Sequence, residues 1–558
     1  MVPQTACRSR AAFGVITVYH RLVCIFLLAV FLLFPPRSVR CATNDALPFE
    51  PIPPSMVQFP KPDDSAGRKA ALVLCQKCHL FVEPDMLDKR AWTRWVLPRM
   101  RSFVGLMQVD YPKYADGELM KASGVYPKAP IVAEKDWEIV EAYYIQAAPE
   151  TALPAPPHPE IEVGLKLFKT ETPDFHLPNP SATLVKISPA TQRVFVGDDE
   201  RKSLYLLDSA GRLLHTINLT NTPTGLVERD GGVYVTSIGH VQPSQFLDGD
   251  LRFIRGVETP APSTRMLLRG LPRTVMTAFG DFNEDGKMDL AVCMYGDLTG
   301  RFSWFENLGP EEYKEHVLLR KAGAVHCVVH DFNQDGHPDL AVLMTQNYEE
   351  LHVFTNDGQG NFEDHLIFKR PPVYGHNYFE LADFNNDGLM DLLVADGDNA
   401  EYNEITMKRY HGIRIYLNRG GLRFEEAFFY PLNGAVKAMA RDFNNDGKLD
   451  IAAFSWFPDY NKSPRESFVF LENHGDLKFT ASTFSQCIAG RWLVMDVGDL
   501  DGDGDLDIVL GSCIKGPTPV PAFLMQAWEK NQQPIVILRN TLRDSATPEP
   551  SRQGPGPR

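Results

Sequence analysis

The sequence predicts a multidomain chain in which a small all-α unit precedes a large all-β array of repeated units. Three observations carry that prediction. At 558 residues the chain is too long for one ordinary hydrophobic core. A nine-residue acidic motif occurs five times between residues 281 and 507, each copy running into a short apolar, strand-like stretch. Proline-rich stretches at 43–63 and 149–160 set off the segment between them, where apolar residues recur at helical spacing. Composition is that of a globular protein, 44% hydrophobic and 23% charged, with a formal net charge of −15. No nucleic-acid partner is expected.

Residues 1–41 read as an export signal or an N-terminal anchor. The apolar run Leu22–Phe34 follows Arg8, Arg10 and Arg21. Its thirteen residues cover about 20 Å as a helix, short of a hydrocarbon core of about 30 Å. Extending the run backwards would bury His20 and Arg21 in mid-membrane, which is costly. A removed signal with a basic flank is therefore favoured over a retained anchor. Val39-Arg40-Cys41-Ala42 is a poor small-x-small cleavage match, and Arg40 fits badly with a lipoprotein reading of Cys41. The expected location is outside the cytoplasm: periplasmic, secreted, or anchored facing outward. Residues 42–65 form a proline-rich spacer before the first domain.

The first domain is assigned to residues 66–148. Ala66–His79 carries apolar residues at helical spacing. Ala133–Ala147 has acidic residues in its first turn and sets Trp137, Val140 and Tyr144 on one face. Within the first of these lies Cys75-Gln76-Lys77-Cys78-His79, a C-x-x-C-H. At this spacing two thiols add to the two vinyl groups of a haem, and the adjacent imidazole becomes an axial iron ligand. A thioredoxin-like pair would expect a βαβ setting, and a zinc site a second Cys/His pair nearby. Residues 60–150 hold no further cysteine.

A motif-bearing N-terminal helix set against an aromatic C-terminal helix resembles the small class I cytochrome c domain of exported bacterial proteins. The resemblance implies one covalent haem c, with Cys75 and Cys78 as thioether anchors and His79 as the proximal ligand. For the sixth ligand Met100 is preferred, in Trp95-Val96-Leu97-Pro98-Arg99-Met100, because this stretch resembles the segment after the haem motif in propeller-fused cytochromes. Met107 and Met120 are the alternatives, as is a Met100 that merely packs in the core.

Residues 149–160 are a semi-rigid linker, and residues 161–542 change character to short β-type runs rich in Gly and Asn. Here the acidic motif supplies Asp281, Asn283, Asp285 and Asp289 in its first copy and Asp331, Asn333, Asp335 and Asp339 in its second. The third copy has Asp383, Asn385, Asp387 and Asp391, and the fourth Asp442, Asn444, Asp446 and Asp450. The last has Asp499, Asp501, Asp503 and Asp507. A hard divalent cation takes six or more oxygens at about 2.3–2.6 Å, and alternate positions of a tight loop converge on one point. Gly at position 6 supplies the sharp turn. An EF-hand would need a bidentate Glu at position 12, where this chain has Val292, Val342, Val394, Ala453 and Leu510. A metal-free, Asx-rich turn is the alternative for any single copy.

The motif and its exit into a strand resemble the FG-GAP (VCBS-type) repeat of integrin-like β-propellers. The resemblance implies up to five Ca²⁺ ions and strands grouped into blades. Two strand-rich stretches upstream, Gln192–Leu214 and Gly225–Leu251, lack the loop, so seven blades are expected. Pro534–Leu538 is expected to close the ring by pairing with the first blade. Residues 543–558 have almost no apolar content and are expected to be a disordered tail.

Cys293–Cys327 and Cys487–Cys513 are conceivable disulfides, with buried free thiols the equal alternative. The strands entering the loops alternate, placing His326, His330, Tyr378, Glu380, Lys437, Arg441 and Asp496 on one face, where they would gather at a central channel if those strands are innermost. No nucleophile–base pairing or phosphate-cradling loop is recognisable, and no catalytic residue is assigned. The expected function is electron transfer by an exported c-type cytochrome whose propeller docks a redox partner or holds a substrate. A haem-linked dehydrogenase of a sugar, and a module binding carbohydrate or a cell surface, are the alternatives.

Overall fold

The computed structural model describes residues 65–543, apart from 311, 401–403 and 405. The signal or anchor, the spacer up to residue 64 and the tail from 544 lie outside the described residues.

The helical unit opens with helix Ala66–Cys75, whose first turn is capped by Ser65 accepting from the Arg68 N–H at 3.1 Å. The helix stops at Cys75, short of His79. A tight turn follows, held by the Cys78 N–H donating to the Cys75 carbonyl at 3.3 Å. The closing helix, Glu134–Ala147, buries Trp137, Val140, Tyr143 and Tyr144, which includes the whole face the sequence predicts. The two helices cross closely because the crossing point is Gly67: a Cβ there would stand 2.7 Å from the Tyr143 Cβ. Arg68 clamps the crossing through Glu83 at 2.6 and 2.7 Å and the Tyr143 hydroxyl at 3.2 Å. Under it, Trp92 and Tyr144 place their rings 4.1 Å apart, and each anchors by a hydrogen bond of 2.9 Å, to the Pro84 and Val82 carbonyls respectively.

Most of the rest of the described chain is a ring of seven sheets, each built on four antiparallel strands. Blades 1 to 4 span Ala182–Asn218, Pro223–Leu271, Thr274–Leu319 and Ala324–Lys369. Blades 5 and 6 span His376–Pro431 and Ala435–Thr483, and blade 7 takes its first three strands, from the centre outward, from Trp492–Asn540. The first strand of each blade packs against the first strands of both neighbours, so these seven strands are innermost. In all seven the pairing with the second strand slips near its start, as between Ala324 and His326 or His376 and Tyr378. Such a bulge adds local twist, which lets each inner strand turn into the ring.

Ring closure differs from the expectation. Pro534–Leu538 does not pair with blade 1: strand Ile535–Asn540 lies inside blade 7, between Asp507–Ser512 and Phe168–Glu171. The chain leaving the linker goes on to supply the outermost strand of blade 7, with Phe168 opposite Asn540. Both ends of the β-domain are therefore stitched into one sheet, and the open edge is covered. An additional strand, Glu162–Val163, adds in parallel to the outer edge of blade 6.

Each acidic loop joins the first strand of a blade to the second. The second-to-third connections therefore project from the opposite end of the ring. There they meet the helical unit: Trp95 Nε1 donates to Glu404 at 3.0 Å, and Arg409 pairs with Asp85 at 2.8 Å. The Tyr410 hydroxyl donates to the Met86 carbonyl at 3.1 Å, and the Gln245 N–H donates to Asp116 at 2.7 Å. The two candidate sites, acidic loops and Cys/His motif, thus occupy opposite ends of the propeller.

Candidate functional site

The first four acidic loops share one hydrogen-bond geometry, and in the last the Gly502 and Gly504 N–H groups donate to Asp499 at 2.7 and 3.1 Å. In the first, Asp281 accepts from the N–H groups of Asp285 at 3.1 Å and Gly286 at 2.9 Å, while Asn283 accepts from Asp285 at 3.2 Å. These bonds turn the oxygens of positions 1, 3 and 5 towards one another, and the next three copies repeat them within 0.2 Å. Two residues per loop take the left-handed conformation. One is the glycine at position 6, as in Gly336 at φ +92°. The other is position 4: Glu284, Gln334, Asn386, Asn445 and, in the last copy, Gly502.

Position 9 does more than the sequence suggests. Asp289 is fully buried; one oxygen accepts from the Phe282 N–H at 3.0 Å and the other from the Asn307 N–H at 2.8 Å. Asp339, Asp391 and Asp507 do the same with Asn356, Asn418 and Asn540. The asparagine ends the third strand, and its side chain returns to the carbonyl of position 8, as from Asn418 to Met390 at 3.1 Å. It is part of the repeat, readable as Asn-x-Gly at 307, 356, 418 and 473 and as Asn540-Thr-Leu542 in the last copy. The aspartate at position 9 thus locks the loop to the blade.

The donor set fits a divalent cation. In the last loop one carboxylate oxygen from each of Asp499, Asp501 and Asp503 lies within 4.8 Å of the other two. One oxygen of Asp450 is buried without a hydrogen-bond partner, and burial pushes that carboxyl up to about 7. Burial likewise raises Asp289, Asp339 and Asp391, and brings Asp507 to about 6. Carboxylates crowded this way are relieved by a cation.

At the other end of the ring, Cys75 is half-buried and Cys78 exposed, both as free thiols. Burial raises the Cys75 thiol to about 11, opposed by the Tyr144 hydroxyl 3.9 Å away. The His79 ring is fixed through Nδ1, 2.7 Å from the Leu80 carbonyl, which leaves Nε2 as the nitrogen outside that bond. Cys75 and Leu74 belong to an apolar cluster with Phe81, Met86, Trp92, Trp95, Met100 and Tyr144. Met100, on helix Leu97–Phe103, is thus in the cluster that holds Cys75. Met107 is 46% exposed, and Met120 is buried in a separate cluster with Tyr126. Met86, which sequence reasoning passed over, shares the Met100 cluster and is a rival for it.

The innermost strands do gather the polar set, and most of its members pair with one another. Glu380 of blade 5 bonds to the Ala440 N–H and to Arg441 at 3.1 Å on blade 6. Asp496 of blade 7 takes Lys186 at 3.0 Å and the Ile187 N–H at 2.8 Å on blade 1. The Lys437 ammonium donates to the Met495 carbonyl at 2.8 Å and sits 4.8 Å over the Tyr378 ring. His326 packs 4.5 Å from Tyr378, while His330 stands apart against Phe332. The four propeller cysteines are free and buried: Cys293 and Cys327 lie beside each other as thiols, and Ser181 Oγ is 3.6 Å from Cys513.

Three matches to the FG-GAP-like repeat, at residues 281–342, 331–394 and 442–510, run from one acidic loop to the next and together take in all five. The chain is a seven-bladed β-propeller carrying FG-GAP repeats, joined to a helical unit. No curated relative matches it in sequence. Among solved structures, the N-terminal domain of Nup159 aligns at 11% identity over 69% of this chain and 99% of its own, with a TM-score of 0.40. BBS1N from its complex with ARL6DN aligns at 11% over 67% and 96%, with 0.41. The Neurospora crassa Pan2 WD40 domain aligns at 8% over 68% and 96%, with 0.42. At such scores these likenesses carry no argument about this chain.

Proposed function

We propose that the chain is an exported electron-transfer protein of the c-type cytochrome kind, its helical unit carrying one covalent haem and its propeller, stiffened by up to five Ca²⁺, docking a partner. The observation that supports this most is the Cys75-x-x-Cys78-His79 turn itself. Two free thiols follow a helix whose other face is packed by aromatic residues, and the adjacent imidazole is oriented through Nδ1. A haem bound there would supply one-electron chemistry, and a histidine–methionine ligand pair would set a potential on the high side. Cys75 and Cys78 would hold it covalently, His79 would present Nε2, and Met100 is the preferred opposite ligand. Trp92, Trp95 and Tyr144 exclude water from the buried flank of the motif.

A pyridine haemochrome spectrum of the purified protein tests this. A c-type signature is expected, lost in the Cys75→Ala/Cys78→Ala double variant; a protein without that signature ends the reading. The second reading is a propeller that binds carbohydrate or a cell-surface protein, favoured by the FG-GAP repeats; glycan-array binding abolished by chelator would support it. A haem-linked sugar dehydrogenase would have to use the channel residues, yet Glu380, Arg441, Asp496 and Lys437 are already engaged with one another or with backbone. Unchanged dye reduction in Glu380→Gln and His326→Ala would remove it.

A further inference from the structure

We infer that the central channel of the propeller binds a small carboxylate with a short apolar tail, its head held by Lys437 and His326 and its tail against Met276, Ala278 and Val328. This site stands whether or not a haem is bound.

The register of the blades locates it. Each innermost strand slips once against the second strand of its blade, and the first paired residue after the slip marks an equivalent position in all seven. In blades 4, 5 and 6 that residue is His326, Tyr378 and Lys437. In the other four it is Leu184, Gly225, Met276 or Val494, so this tier carries a cation and no carboxylate. The tier lies at the start of the inner strands, away from the acidic loops into which they run. His326, Tyr378 and Lys437 are only half-buried, although no further layer of the ring lies inside their strands. The axis beside them therefore holds space.

The three side chains meet. The Lys437 ammonium stands 4.8 Å over the Tyr378 ring, and the His326 ring packs 4.5 Å from the same tyrosine. Nδ1 of His326 is buried without a hydrogen-bond partner. The carboxylates of the next tier are already matched: Asp496 takes Lys186 at 3.0 Å, and Glu380 takes Arg441 at 3.1 Å. Lys437 is left over. It donates to the Met495 carbonyl at 2.8 Å and forms no ion pair among the described residues, which leaves two of its three N–H donors.

An enclosed ammonium without a counter-charge calls for an anion. A carboxylate brings two acceptor oxygens, one for the ammonium and one for an imidazole N–H. Val328 follows His326 on the same face of its strand, and Met276 and Ala278 stand on the neighbouring inner strand, all three half-buried. That apolar wall favours a hydrocarbon tail over a hydrated inorganic ion. A purely structural Lys437, resting on a carbonyl and a tyrosine ring, would leave the protein indifferent to carboxylates.

Calorimetric titration and melting curves of the full-length protein, in calcium-containing buffer at one ionic strength, test this with butyrate, acetate, chloride and neutral butanamide. Butyrate should bind and stabilise, acetate should bind more weakly, and chloride and butanamide should do neither. Lys437→Met should weaken butyrate by about tenfold or more, the worth of one charge-assisted hydrogen bond. Met276→Ala should weaken butyrate and spare acetate, and Lys478→Gln, on the outer rim of blade 6, should change nothing. Far-UV circular dichroism checks that each variant folds, and the comparison of butyrate with butanamide on wild-type protein decides the matter without any variant. Butyrate acting no better than chloride overturns the inference, as does equal binding of butanamide or unaltered butyrate binding in folded Lys437→Met.

Discussion

Asn356 holds blade 4 around its acidic loop, and its removal isolates what the third-strand asparagine does. Its side-chain amide donates to Pro338 of its own loop at 3.1 Å and to Phe282 of the blade 3 loop at 2.9 Å. Its carbonyl accepts from the Gly358 N–H at 3.3 Å. The residue is almost fully buried, so water cannot replace these partners. Three buried hydrogen bonds at a net ~1 kcal/mol each put Asn356→Ala about 3 kcal/mol below wild type. Asn307 is the internal control. It is half-buried and makes two such bonds, to Met288 at 3.0 Å and from Gly309 at 3.1 Å. Water reaches its partners, so Asn307→Ala should cost about 1 kcal/mol. Urea denaturation followed by tryptophan fluorescence, in one calcium-containing buffer, compares the two midpoints. Equal shifts, or a loss below about 0.5 kcal/mol for Asn356→Ala, would refute the assignment of that side chain as a bond between blades.

Calcium removal should lower the melting temperature, because an ion bound only by the folded loops stabilises by about 2.7 kcal/mol per site at a hundredfold excess over its dissociation constant. A melting curve indifferent to chelator would exclude the metal. Burial lowers His326 to about 3. Its folded value lies below the unfolded one, so its stabilising effect is complete above about pH 6.5 and is lost as pH falls towards 3, by at most about 1.4 kcal/mol per pH unit. His326→Phe should flatten that acid limb, and an unchanged slope would count against a neutral channel histidine. Gly67→Ala drives a methyl into Tyr143 at 2.7 Å, and should cost about 1–3 kcal/mol in the helical unit by far-UV circular dichroism. A neutral result would mean that the helix crossing gives way.

Local rules made the loops legible. Side-chain oxygens at alternate positions and a glycine at position 6 are demands of one short segment on itself, so Asp281–Asp289 and its four copies could be read without a partner. The same holds for helix Glu134–Ala147, whose buried face follows from a period of 3.6 residues. The third-strand asparagines were missed, although Asn-x-Gly recurs in the sequence, because their partner aspartates stand 17 to 33 residues earlier. The balance of the channel residues was equally hidden. Glu380 with Arg441 and Asp496 with Lys186 are neighbours only because seven inner strands close into a ring.

By itself, the sequence determined the repeat, the number of blades, the geometry each acidic loop would take and the chemistry the Cys/His turn could support. Each depends on residues a few positions apart, where covalent spacing already fixes what can meet. Only the tertiary structure decided which strand closes the ring, which methionines share the Cys75 cluster, and that the helical unit sits on the end of the propeller away from the acidic loops. Those outcomes are contacts between segments tens to hundreds of residues apart. They are chosen by the packing of whole sheets and helices, whose shapes no short stretch of sequence carries.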